Sequence, residues 1–187
     1  MVGGGQLARS VPETRDEILA AAAKRFAVTG YKGTSLQDIA REVGCSKAAV
    51  LYHFANKEAI LTELMAPAIG MLLALDERLL GSTGQTAQRD AVEGFVELAL
   101  RFRREIALLH GEFPELLQHP AFAHIQRCSD RLRDALAGGS PGAEARVGAL
   151  IVLAGIAAAC AEFPDLDDDE LRAALLAVAR RALGPLD

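Results

Sequence analysis

His110, Glu112, His119, His124 and Cys128 carry side chains that bind metals. His124 and Cys128 are four residues apart, so a helix through them puts both on one face. Zinc sites draw their ligands from tight Cys/His motifs whose spacing fixes a geometry. None is present, and no metal is expected. Ser129-Asp130 beside His124 is a helical juxtaposition, not a nucleophile with its base. The chain has no nucleophile elbow, Walker loop, dinucleotide fingerprint or HExxH pair. Neither a catalytic residue nor a cofactor is expected.

Residues 34 to 57 suit another chemistry. Lys47 carries donors that match a guanine edge, while Ala48 and Ala49 offer small apolar surfaces that match thymine methyls. Thr34 places a hydroxyl at a helix start, and Lys57 a cation in the first turn of a long helix, where an anion is favoured. Taken alone, Tyr52 and His53 also suit the edge of a small core, and Lys57 a solvated charge.

Short helices must position these groups. Pro12 opens a first helix with Ile18, Leu19, Ala22, Ala23 and Phe26 on one face, and Gly30 stops it. Thr34 or Ser35 caps a second helix whose Leu36, Ile39, Ala40 and Val43 follow the helical period, and Gly44 ends it. Ser46 caps a third helix with Val50 and Phe54 turned inward, and Asn56 caps a fourth. A helix-turn-helix needs a small residue at the crossing, a turn residue tolerant of positive φ, and a branched residue pointing back. Ala40, Gly44 and Val50 supply these in order and leave Lys47, Ala48, Ala49 and Tyr52 on the outer face. The same spacing also fits a plain αα-hairpin.

Longer helices follow. The fourth continues through Leu61, Leu64, Met65, Ala68, Leu72, Leu75 and Leu79, with Pro67 expected to kink it. A fifth is predicted from Thr86 to His110, then a short piece between Pro114 and Pro120, then helices over Ala121 to Leu136, Ala143 to Ala161 and Asp167 to Leu183. The last has acids at its start and Arg180-Arg181 at its end, matching the helix dipole. The predicted class is all-α, about nine helices. Its expected parts are a flexible tail over 1–11, a helix-turn-helix head over 12–57 and a helical body over 58–187.

Composition agrees. The 187 residues are 51% hydrophobic, 24% charged and only 5% aromatic, which excludes general disorder and favours helices. The net charge of −5 is unevenly spread: residues 1–60 hold eight Lys/Arg against six Asp/Glu, a net +2 that leaves −7 for the rest. A mildly basic head on an acidic body meets a polyanion at one end only. Three scattered cysteines form no disulfide framework, and the N-terminus has no apolar signal core. The most apolar run, Val147 to Ala161, is shorter than the roughly 20 residues that span a bilayer. A soluble cytoplasmic protein with no membrane partner is expected.

The strings Tyr31-Lys32-Gly33-Thr34-Ser35-Leu36-Gln37-Asp38-Ile39-Ala40-Arg41-Glu42-Val43-Gly44-Cys45-Ser46 and Val50-Leu51-Tyr52-His53-Phe54-Ala55-Asn56-Lys57-Glu58-Ala59-Ile60-Leu61 closely resemble the DNA-binding head of the tetracycline-repressor (TetR) family of bacterial transcriptional regulators. The resemblance runs from about Thr14 to Leu61; beyond it, only helix number and length agree. It implies that the third helix enters the major groove of operator DNA. The contact set is then Thr34, Ser46, Lys47, Ala48, Ala49, Tyr52, His53 and Lys57, with Thr34, Tyr52, His53 and Lys57 at positions that commonly grip phosphates. This chain has Leu51 where many relatives have Tyr, so that hydroxyl is missing.

The resemblance further implies a repressor released by a small molecule, and a homodimer formed by the last two helices. Val147, Leu150, Ile151, Ala154, Gly155 and Ala158 form one face of a helix that Val152, Leu153, Ile156 and Ala157 make apolar all round, more than one protomer readily covers. Leu171, Leu175 and Val178 of the last helix join this expected interface. A central buried helix in a monomer is the other reading. Met65, Leu72, Phe95, Leu98, Phe102, Phe113 and Phe122 could line a pocket for a largely apolar effector, or simply form core. The alternatives are a metal- or redox-responsive regulator of the same fold, through the His/Cys set or Cys45, and a helical enzyme.

Overall fold

The structure, a computed structural model, describes residues 11–108 and 123–184. Among them the helices are α1 (Val11–Thr29), α2 (Leu36–Val43), α3 (Lys47–His53), α4 (Lys57–Leu80), α5 (Gly84–Arg101), α6 (Arg103–Leu108), α7 (Ala123–Leu136), α8 (Ala143–Glu162) and α9 (Asp168–Leu183). No strand occurs among the described residues, and the class is all-α as expected. The chain divides into two compact units between Leu64 and Met65. The first turns of α4 therefore count with the head rather than the body: Ile60 and Leu61 are buried, and Glu63 pairs with Arg15 of α1.

In the head, α1 packs on α2 and α2 on α3. Ile18, Ala22 and Phe26 of α1 meet the requirement for one apolar face, and they are buried together with Ile39, Ala40, Val50 and Phe54. The Phe26 and Tyr31 rings meet edge to face, 5.3 Å between centroids.

In the body, α5 is the central helix and packs on α7, α8 and α9. Its small residues permit this: a Cβ at Gly94 would lie 2.4 Å from Leu75 Cδ1 of α4. Ala91, Val92, Val96 and Ala99 of α5 join Leu75 and Leu79 of α4, Leu132 and Leu136 of α7, Val152 and Ile156 of α8, and Leu171 and Leu175 of α9 in one core. The buried Gln88 side chain donates to the Leu136 carbonyl at 2.7 Å, satisfying an end of α7 that helix geometry leaves open. Arg131 of α7 pairs with Asp76 of α4 at 2.6 Å.

Several expectations change. The fifth helix does not run to His110; it breaks at Phe102, which has φ −116° and ψ 32°. Nothing in the local sequence marks this, because no Gly or Pro is there. The following Arg103 is tied to Asp168 at the start of α9 and to the Pro164 carbonyl at 3.4 Å, so a tertiary contact accompanies the break. The piece between Pro114 and Pro120 lies outside the described residues. As expected, α4 continues through Pro67, which removes one hydrogen bond from the helix without ending it. By length and composition α4 and α8 are both apolar enough to cross a membrane, so the length of the run from Val147 does not by itself set α8 apart; each contributes residues to the body core.

None of the three cysteines forms a disulfide. Cys128 and Cys160 are buried, and burial pushes both thiols up, with the Asp76 carboxylate adding to the effect at Cys128. His124 is exposed while Cys128 is buried, so this pair does not present a joint ligand face. Among the described residues no cluster of three or more metal-binding side chains occurs. His110, Glu112 and His119 lie outside them.

Candidate nucleic-acid interface

The helix-turn-helix is assembled by local hydrogen bonds that the sequence dictates. Ser35, in extended backbone, caps α2: its hydroxyl accepts from the Asp38 amide at 3.2 Å, and Asp38 accepts from the Ser35 amide at 3.0 Å. Hydrogen bonds from the Ser35 hydroxyl and amide, with Arg41 nearby, hold the Asp38 carboxyl below its usual range. Gly44 takes φ 77°, the left-handed conformation that closes α2, and the Cys45 amide returns to the Ala40 carbonyl at 2.9 Å. Ser46 then caps α3 by accepting from the Ala49 amide at 3.1 Å. Its hydroxyl hydrogen stays available to a phosphate oxygen.

Val50 and the Phe54 that follows α3 are buried, and they aim the opposite face outward. Lys47, Ala48, Leu51 and Tyr52 are exposed on that face; Ala49 and His53 are half-buried. Tyr52 is 78% exposed, and its ring stands edge to face with His53 at 5.2 Å. Lys47 makes no ion pair among the described residues, whereas nearby acids are matched: Asp38 by Arg41 at 3.1 Å, and Glu42 by Lys24, which lowers the Glu42 carboxyl. The outer face thus has an available cation and neighbouring acids already neutralised.

Two expected phosphate contacts look different in three dimensions. Thr34 is only 2% exposed. Its hydroxyl donates to the Gly30 carbonyl at 2.8 Å and lies 2.8 Å from the Thr29 hydroxyl. It therefore closes the turn between α1 and α2 and does not face solvent. Lys57 donates to the Tyr31 carbonyl at 2.6 Å and the Thr34 carbonyl at 2.8 Å, with its ammonium 4.2 Å from the Tyr31 ring centroid. That ammonium is a latch on the same turn. Sequence reasoning passed over Gly33: a Cβ there would lie 2.2 Å from the Thr29 carbonyl oxygen. The Tyr31-Lys32-Gly33-Thr34 string was the available signal.

The body residues separate into two groups. On α8, Val147, Leu150, Ile151, Ala154 and Gly155 are exposed, and a Cβ at Gly155 would meet nothing within 4 Å; Ala158 is half-buried. Val178 of α9 is also exposed. Leu171 and Leu175 are not on this face: they are buried in the protomer's own core, because the i, i+4 seam of α9 that they form turns toward the bundle. Of the suggested pocket residues, Met65 and Leu98 are buried and Leu72, Phe95 and Phe102 half-buried. Phe113 and Phe122 lie outside the described residues.

Residues 18–64 match the family model described as "Bacterial regulatory proteins, tetR family". The match covers the whole helix-turn-helix and the start of α4. Over these residues the chain is similar to the TetR family. Among curated TetR-type relatives, the HTH-type transcriptional repressor KstR2 of Mycobacterium tuberculosis is 27% identical over 125 residues, 65% of this chain and 62% of that protein. The HTH-type transcriptional regulator RutR of Escherichia coli is 31% identical over 101 residues, 54% and 46% respectively. The chain thus spans less than two thirds of the length of these curated relatives. Solved structures match more of the body. A TetR-family transcriptional regulator from Bordetella parapertussis superimposes with a TM-score of 0.65 at 25% identity, over 91% of this chain and 94% of that one. The structure of KstR2 gives 0.69 at 22% identity over 93% and 96%, a likeness of fold. Each of these TetR relatives is named as a regulator of transcription.

Proposed function

We propose that this chain is a transcriptional repressor that binds operator DNA as a homodimer, reads the major groove with α3, and is released by a small, largely apolar ligand held in the body. The outward face of α3 carries the reading: an available lysine, small and apolar side chains and a phenol on one side of a capped helix, beside carboxylates already paired with cations. A polyanion meets such a face without uncompensated repulsion. The exposed apolar face of α8 supports the dimer, and two heads reading successive grooves must sit about 34–36 Å apart or a multiple of it. The apolar character of Met65, Leu72, Phe95, Leu98 and Phe102 supports the ligand class. A cytoplasmic location follows from a partner that is bacterial DNA.

Selection of bound duplexes from a random library, followed by titration of the enriched sequence against random DNA, tests the reading. Lys47→Ala is expected to cost about 1–3 kcal/mol on the selected sequence and to relax the choice at one base position. Equal losses on selected and random DNA would assign Lys47 to a phosphate instead. Tyr52→Phe isolates the hydroxyl; unchanged affinity would leave Tyr52 as a packing partner of His53.

Lys57 offers a sharper contrast, because a latch and a phosphate contact leave different marks. Lys57→Met keeps most of the stem and removes the ammonium from the Tyr31 and Thr34 carbonyls. The expected result is a lower melting temperature for the head with an unchanged dependence of affinity on salt. A salt slope reduced by about one would instead reveal a phosphate contact.

A further inference from the structure

The exposed face of α3 that carries Lys47 and Ala48 also presents a leucine. Leu51 is 43% exposed in the middle of α3, while Val50 beside it is fully buried. At 3.6 residues per turn, Lys47 lies one turn before Leu51 on the same face, Ala48 three residues before it, and Tyr52 follows it. The four exposed residues therefore form one continuous strip: cation, methyl, isobutyl group, phenol. In the major groove only one base edge is apolar, the C5-methyl of thymine, and the edge that best accepts a lysine is guanine O6 and N7. Single exposed apolar residues are common on protein surfaces. This one is flanked on its own helix face by an available cation, and the head's acids nearby are neutralised.

Resting on the DNA-reading role proposed above, we infer that Leu51 is a specificity-determining residue that packs on the C5-methyl of a thymine, next to a guanine contacted by Lys47, in each half-site. Leucine thereby replaces a polar contact with an apolar one. Its contribution is confined to one methyl group and is independent of salt.

The test removes that methyl and nothing else. A duplex selected from a random library by the full-length protein is resynthesised with deoxyuridine in place of each thymine in turn, which leaves base pairing unchanged. For one thymine per half-site, the wild-type protein is expected to bind roughly fourfold more weakly, the loss that follows from one methyl left in water. Leu51→Ala, a substitution at an exposed position, is expected to fold with an unchanged melting temperature and to bind the thymine and deoxyuridine duplexes equally. A selected duplex on which no single replacement weakens wild-type binding twofold overturns the inference. So does a methyl effect that survives in Leu51→Ala, which would assign the methyl to Ala48. A library from which no sequence is enriched overturns the DNA-reading role itself, and this inference with it.

Discussion

Replacing Ile151 by aspartate is expected to leave the protein folded and monomeric. Ile151 is 61% exposed on α8, in a row with Val147, Leu150 and Ala154 that no described residue covers. A two-fold interface uses the same patch on both copies, so one substitution enters it twice. An unpaired carboxylate removed from water costs about 2 kcal/mol or more. Doubled, that weakens the dimer on the order of a thousandfold. Sedimentation at micromolar concentration measures the outcome, and operator affinity is expected to fall with it because one head meets one half-site. Leu171→Asp is the contrasting substitution: its leucine is buried inside the protomer, so it is expected to unfold the body rather than dissociate it. An Ile151→Asp protein that still sediments as a dimer moves the interface elsewhere.

The second large effect is expected in the head, from a single methyl. Gly33→Ala would set a Cβ 2.2 Å from the Thr29 carbonyl oxygen, and the obstacle is backbone, which has no rotamer to adopt. Relief requires moving the end of α1 or the start of α2, breaking the Thr34 and Lys57 hydrogen bonds that close this turn. A cost of about 3 kcal/mol, the upper end of ordinary overpacking, is expected in the melting of the head, with loss of DNA binding. Gly44→Ala provides the scale. Its Cβ would meet nothing within 4 Å, so only the left-handed φ of 77° is penalised, about 1–2 kcal/mol. A Gly33→Ala head as stable as wild type would mean that the α1–α2 turn is more yielding than its hydrogen bonds imply.

These contrasts mark where sequence is legible. The caps at Ser35 and Ser46 and the turn at Gly44 were readable because each depends on bonds within four residues of chain. The break at Phe102 was not, because the bonds that accompany it join Arg103 to residues some sixty positions away. Thr34 reads as surface by residue type, yet its hydroxyl is satisfied by neighbours that only the folded turn assembles. For α9, periodicity defines a stripe holding Leu171 and Leu175 but not whether that stripe faces its own bundle or a second copy. Packing settles that, and Val178 lies on the other side. Leu51 was visible as a departure from the TetR pattern, but its position in the middle of an exposed strip appears only once Val50 has oriented α3.

The burial of two of the three cysteines makes the protein its own reporter. Maleimides react with thiolates, and Cys128 and Cys160 are both enclosed and pushed toward the protonated form. Cys45 alone is partly accessible, and it sits in the turn immediately before the cap of α3. A fluorophore attached under gentle, non-denaturing conditions therefore falls beside α3, the helix proposed to read DNA, without any residue being replaced. If the proposed function holds, its emission will follow operator capture and release in real time on an otherwise native chain.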